Sequence, residues 1–299
     1  MKQQLKGILA LLIATIIWGS TFVAQSVGMD HIGPFTFQAA RSFLAVFSLI
    51  PIIAISDRFK HDSSSFWSRW KCKKLWIAGA LCGVPLFLAC NFQQVALVDT
   101  SAGKSAFLTA MYIVIVPIIG LFLKQKPNRW IPVSVLLAAL GLYCLSCIGV
   151  ERIQIADLLL LGCALMFALQ ITFVDMFAGS VDALRLNLIQ VLVCAVLSLI
   201  VMFFTETPSW HAVAVSWLPL CYAGILSMGI AYSLQIVGQK FLPPTPASLL
   251  MSLESVFAVL CGCLILKERL TLWEVIGCIL VFAAVILSQL PDKKATIAK

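Results

Sequence analysis

Apolar runs of about 20 residues recur from Gly7 to Leu290, and each is long enough to cross the ~30 Å hydrocarbon core of a bilayer as a helix. Inside lipid every backbone N–H and C=O must be satisfied within the protein, so such a chain is confined to a bundle of spanning helices. Composition agrees: 61% of the 299 residues are apolar and 11% charged, against roughly 45–50% and 25% in soluble domains. The fold class read from this pattern is an all-α polytopic membrane protein, with approximate spans at 7–27, 34–56, 75–95, 101–123, 130–149, 157–178, 184–204, 216–239, 246–266 and 271–290. Ten spans occupy about two thirds of the chain and leave connectors too short for an appended soluble domain. Lys2 and Lys6 before an apolar run have the outline of a signal peptide, but no A-x-A site follows and the run continues through Trp18 to Val27, so the first span reads as a retained helix.

The net charge of +8 is a topology signal, because the basic residues gather in connectors. With the N-terminus inside, 16 of the 21 Lys and Arg fall on the inner side and four on the outer, Lys267 and Arg269 among the latter, while Arg41 lies within the second span. The positive-inside rule then places both termini in the cytoplasm. No nucleic-acid partner is expected. Trp67, Trp70, Trp76, Trp130, Trp210, Trp217 and Trp273 fall at or near span ends, as an interfacial aromatic belt requires. Trp18 does not, and with Gly19, Ser20 and Thr21 it marks a face that either packs closely or lines a cavity.

Most of the eleven cysteines stand singly in apolar runs, where they act as small packing residues. Cys144-x-x-Cys147 and Cys261-x-Cys263 have no histidine or second pair beside them, so neither a metal nor another cofactor is expected. The three histidines, His31, His61 and His211, all fall in connectors, and no P-loop occurs, so the reading is not an enzyme and not an ATPase.

The two halves overlay in order. Thr21-Phe22-Val23 matches Thr172-Phe173-Val174, Ala45-Val46 matches Ala195-Val196, Gln93 and Val95 match Gln235 and Val237, and Leu123-Lys124 with Trp130 matches Leu266-Lys267 with Trp273. The chain therefore divides into residues 1–149 and 150–299, two repeats of five spans. An odd number of crossings starts the second copy on the opposite side of the membrane, giving inverted repeats of the kind that let one central site face either side in turn.

Ionisable groups inside spans are costly and mark candidate sites. Glu254 lies about eight residues, roughly 12 Å, into the ninth span, opposite Met111 in the first repeat. It reads as a ligand for a cationic group, a carrier of a coupling proton, or a structural carboxylate. Arg41 could balance Glu254 as an ion pair or attract an anionic group, and Lys104 could reach into a cavity or out to headgroups. Asp99 and Asp175 stand near span ends, and Glu274 suits a helix N-terminus. Neutral polar residues add to these: Asn91, Gln93 and Gln94 in the third span, Tyr232 and Gln235 in the eighth, with Gln38, Tyr112, Gln170, Asn187 and Gln190. Such a set across both halves fits a polar central pathway. Pro85 and Pro117 free backbone groups, Gly79-x3-Gly83 permits close helix approach, and Pro246 suits a helix start.

At Trp18-Gly19-Ser20-Thr21-Phe22, at Arg41, from Gln93 to Pro117 and from Ala231 to Leu287, the chain resembles the EamA family of the drug/metabolite transporter superfamily. It departs from that pattern at Ser255, where the family often has Pro after the glutamate, and at Lys267, where it often has Gly before Glu268. The resemblance implies a ten-helix inverted-repeat carrier moving small metabolites, amino acids or drug-like solutes across the plasma membrane, often outward. The expected binding residues are Trp18, Arg41, Asn91, Gln93, Gln94, Lys104, Tyr112, Gln170, Tyr232, Gln235 and Glu254, with Glu254 as the coupling group. The alternatives are a lipid flippase or scramblase and a channel-like facilitator. The expected partners are a small-molecule substrate and membrane lipids, the protein being a monomer or homodimer.

Overall fold

The structure, a computed structural model, describes residues 2–59, 68–124, 128–146, 154–266 and 271–290. Calls on Lys267, Glu268, Arg269, His61, Trp67 and Cys147 lie outside these residues. The described residues are helical with short connectors. We number the spans α1 (Lys2–Gly28), α2 (Pro34–Phe59), α3 (Lys73–Ala96), α4 (Ala102–Phe122), α5 (Ile131–Ser146), α6 (Ile155–Ala178), α7 (Ala183–Thr205), α8 (Trp217–Gln239), α9 (Pro244–Ile265) and α10 (Leu272–Ser288). Eight are long and apolar enough to cross a membrane, and α5 and α10 are shorter apolar helices. A 3-10 turn at Ser68–Lys71 and a short helix at Trp210–Val215 lie in connectors.

Local chemistry sets the helix starts. Ser101 accepts from the Lys104 amide at α4, Asp182 from the Arg185 amide at α7, and Thr271 with Glu274 forms a capping box on α10, each satisfying amides that a helix N-terminus leaves orphaned. The role expected for Glu274 is thus the one seen. At α9 the helix begins at Pro244, two residues before the expected Pro246, because prolines at the first helical positions lack a donor only where none is needed.

Three spans are not regular, while the third span, where Pro85 was expected to interrupt the helix, runs unbroken from Lys73 to Ala96. The fourth divides into Ala102–Thr109 and Tyr112–Phe122, and the ninth into Pro244–Met251 and Leu253–Leu266. The eighth carries a π-helical stretch at Tyr222–Ala231. The break in α4 precedes Pro117 by six residues, so the proline lies within the second segment and does not itself divide the helix.

The packing closes on itself when each helix is exchanged for the one five later. Helix α3 packs on α6 as α8 packs on α1; α1 packs on α9 as α6 packs on α4; α2 packs on α8 as α7 packs on α3. The pairs α2–α7, α4–α9 and α5–α10 map onto themselves. This is the contact pattern of two five-helix repeats related by a two-fold axis, and nearly all of it runs between repeats. Gly79 and Gly83 let α3 approach Ile189 and Val193 of α7, and a Cβ on Gly141 would stand 2.9 Å from the Gly277 carbonyl, so α5 and α10 meet almost backbone to backbone.

Candidate functional site

The breaks and the irregular stretch converge on the middle of the bundle. Tyr112 opens the second segment of α4 and Glu254 lies in the first turn of the second segment of α9, each just past an irregularity of one or two residues through which the backbone stays right-handed helical. Tyr112 Oη donates to Glu254 Oε1 at 3.0 Å. Ser255, where the resembled family often has proline, donates its hydroxyl to the Ala106 carbonyl at 2.9 Å and ties the two broken helices together. A Cβ on Gly19 would lie 2.8 Å from the Glu254 carbonyl oxygen, so α1 packs directly on the backbone that carries the carboxylate.

Trp18, Thr21, Phe22, Gln25, Arg41, Gln93, Tyr112, Phe167, Ile171, Ser227, Met228, Tyr232, Gln235, Met251 and Glu254 enclose a cavity of about 40 Å³, room for a few waters and no more. Arg41 is 3% and Glu254 6% exposed, yet no ion pair joins them. Arg41 donates through Nη1 to Gln25 Oε1 at 2.5 Å and through Nε to Gln38 Oε1 at 2.6 Å, and among the described residues no carboxylate is paired with it. The structural Arg41–Glu254 bridge considered from sequence is therefore replaced by amide oxygens that fix the guanidinium without neutralising it. A buried guanidinium and a buried carboxyl group that line one cavity without pairing with each other gain nothing from each other in folding.

Other polar atoms also wait without partners. Trp18 and Gln235 both line the cavity, and Trp18 Nε1 and Gln235 Oε1 are buried and make no hydrogen bond, a costly state in a packed interior. Trp18 meets Tyr232 edge to face with centroids 5.0 Å apart. Gln93 and Gln235, mates in the repeat, both line the space; Gln93 donates to Thr109 Oγ1 at 3.1 Å, and Gln235 to Gln170 and Gln239, each at 3.0 Å.

Of the eleven expected binding residues the cavity gathers Trp18, Arg41, Gln93, Tyr112, Tyr232, Gln235 and Glu254. The other four are placed elsewhere. Asn91 donates to Ser198 Oγ at 2.9 Å, Gln94 points to Met29 Sδ, Gln170 donates to Gln190 behind the wall, and Lys104 sits 2.5 Å from Asp157 Oδ1. Thr21, which the sequence marks with Trp18 as part of a face that packs closely or lines a cavity, does line it, whereas Phe22, Gln25, Phe167, Ile171, Ser227, Met228 and Met251 were not expected there. Gln25 and Thr21 carried the one usable signal, since both fall on the Trp18 face at helical spacing.

A wider vestibule of about 710 Å³ is bordered by Gln4, Pro117, Asn128, Asp175, Thr245, Pro246 and Gln289. These residues sit at the starts of α1, α5 and α9 and the ends of α4, α6 and α10, so they share the face that holds both ends of the chain.

A family model described as the EamA-like transporter family matches residues 5–147 and again 154–290. The chain belongs to the EamA-like transporter family. An uncharacterized transporter of Archaeoglobus fulgidus is 30% identical over 289 residues, covering 96% of this chain and 87% of that one. The uncharacterized transporter YoaV of Bacillus subtilis is 26% identical over 295 residues, covering 95% and 97%. A crystal structure of a protein only 18% identical superposes with a TM-score of 0.76 over 97% of this chain and 98% of its own, which speaks to the fold alone. This EamA-like transporter is thus a multi-pass membrane protein with a cavity lined by Arg41 and Glu254 and by helices of both halves of the chain.

Proposed function

We propose that this protein is a secondary transporter that carries a small zwitterionic solute, of the size and charge of an amino acid, across the plasma membrane by alternating access, with export as its working direction and both termini in the cytoplasm. The observation that carries the reading is a buried guanidinium and a buried carboxyl group on one cavity that do not pair with each other: Arg41 would meet a carboxylate group of the cargo and Glu254, ionised on binding, its ammonium group, while Trp18 and Gln235 supply buried polar atoms that have no partner in the empty protein. A solute with a single charge satisfies one group and leaves the other desolvated, so both charges together are favoured. Because the cavity is too small for such a cargo as it stands, binding widens it, and the aromatic and methionine walls provide side chains that rearrange without exposing new polar groups. Glu254 is also the group placed to take up a proton when the cargo leaves.

The test uses three solutes on one carbon skeleton: leucine, 3-methylbutylamine and 4-methylpentanoate, in counterflow across proteoliposomes with and without an imposed pH gradient. The expected result is saturable leucine exchange at least about tenfold faster than for either singly charged analogue, with preference moving toward 4-methylpentanoate in Glu254→Gln and toward 3-methylbutylamine in Arg41→Gln. Equal handling of all three, or unaltered preference in both variants, overturns the charge assignment. Unsaturable flux overturns the carrier reading.

A further inference from the structure

The two faces of the bundle differ where repeat-related helix starts meet, and two residues outside the cavity make that difference; elsewhere the face opposite the vestibule carries a hollow of about 410 Å³ bordered by residues 26, 29–34, 97 and 98. In the repeat register that aligns Leu123 with Leu266 and Thr21 with Thr172, Thr245 and Pro246 correspond to Ala102 and Gly103, and Gln4 corresponds to Ile155. On the face holding the chain ends, the space between the start of α9 and the start of α1 is the open vestibule of about 710 Å³. On the opposite face its counterpart, between the starts of α4 and α6, is bridged: Lys104 Nζ stands 2.5 Å from Asp157 Oδ1, with the two side chains 14% and 11% exposed. The contact is set by charge more than by hydrogen-bond angle, since Oδ1 has no well-directed donor. Asp157 is held in place because its other oxygen accepts from the Gln154 amide at 3.0 Å as part of the α6 capping box. Behind the bridge, Ala96, Ala156 and Leu160 pack with Leu108 and Leu159 to seal the wall.

The bridge has no twin. The register pairs Lys104 with Ala247 and Asp157 with Lys6, so when the vestibule face closes it closes without an ion pair. We propose that Lys104 and Asp157 form a one-sided latch that holds the outer face shut and makes the inward-facing state the resting state of the carrier. Two conformations related by the two-fold would be isoenergetic in a symmetric chain; an ion pair present in one and absent in the other biases their populations by its own contribution. Empty protein then waits with its site turned toward the vestibule. Lys104 and Asp157 act on transport through the position of α4 and α6 and touch no cargo.

Hydrogen exchange of the purified full chain, with no solute added, tests this. In Lys104→Met and in Asp157→Asn, which keeps an oxygen for the Gln154 amide, exchange in segments 97–108 and 154–160 is expected to accelerate by about threefold to tenfold, as the population shift from losing a partly buried ion pair requires. Segment 242–250 on the other face is expected to become slower to exchange by a comparable factor, and Lys104→Arg is expected to restore both. The reciprocal protection separates a latch from a brace: a bridge that merely stabilises its own surroundings loosens the outer segments and leaves 242–250 unchanged. That outcome, or no change in either region, overturns the proposal.

Discussion

Arg185 shows how this protein treats a buried charge it intends to neutralise. It is 1% exposed, and Asp57 of α2 answers it, with Nη1 at 3.2 Å from Oδ1 and Nη2 on Oδ2, while Arg69 joins the same carboxylate at 2.9 Å and Asp182 stands 3.6 Å away. Arg41, similarly buried, meets the amide oxygens of Gln25 and Gln38 and the face of the Phe37 ring, and among the described residues no carboxylate. The contrast predicts different penalties: Asp57→Asn is expected to cost about 3 kcal/mol of stability, since it takes the two-point carboxylate from a buried guanidinium and leaves it Asp182 at 3.6 Å, whereas Glu254→Gln leaves thermal unfolding nearly unchanged while altering transport. Unfolding midpoints of the two variants check this. Sequence identified Arg41 and Glu254 because a charge inside an apolar run is conspicuous. It counted Arg185 among inner-face charges and could not show that the chain folds Asp57 over it. Nor could spacing place Asn91 and Gln94: it showed that they share a helix face, but which neighbour that face meets depends on helix rotation, which apolar sequence on every side leaves open.

At the level of elements, the irregular helices were the least legible part. Nothing in the composition of Ala102–Phe122 marks a break at residues 110–111, and the stretch Tyr222–Ala231 reads as an ordinary apolar run. The π-helix is supported from outside, because Asn187 Nδ2 lies 3.0 Å from the Met228 carbonyl, 2.8 Å from that of Gly229 and 2.8 Å from Ser233 Oγ. Asn187→Leu removes these contacts and is expected to cost about 2 kcal/mol and to regularise the helix, moving Ser227 and Met228 off the cavity; unfolding and leucine counterflow report the two effects. Helix contact is a second element property. Gly19→Ala drives a methyl into Phe257 and the Glu254 carbonyl and should destabilise by about 1–3 kcal/mol, while Gly162→Ala, whose nearest neighbour is a Phe92 ring carbon at 3.4 Å, is expected to be close to neutral.

For the whole molecule, the ten spans and the five-plus-five pattern were readable because membrane thickness fixes helix length and four collinear matches fix the repeat register. What the repeat did not convey is how thoroughly its halves interleave. Since nearly every helix finds its main partners in the other half, residues 1–149 and 150–299 expressed apart are expected to be degraded, and expressed together to reassemble a protein with leucine counterflow. Stable, folded accumulation of either piece alone would contradict the packing described. A C-terminal tag should resist protease added outside intact cells and become accessible on permeabilisation, as the charge bias of the inner connectors requires.

The two charges of the cavity also differ in when their surroundings come into being. Arg41 draws its acceptors from Gln25 and Gln38, 16 and three residues away, so a growing chain that has delivered only its first two helices to the bilayer can already shelter the guanidinium. Glu254 finds its donor in Tyr112, 142 residues earlier, and until the ninth helix arrives that tyrosine has no carboxylate to meet. Biogenesis therefore shelters the guanidinium early and at little risk, and leaves the buried carboxyl group, with the proposed site it completes, as one of the last things the nascent protein acquires.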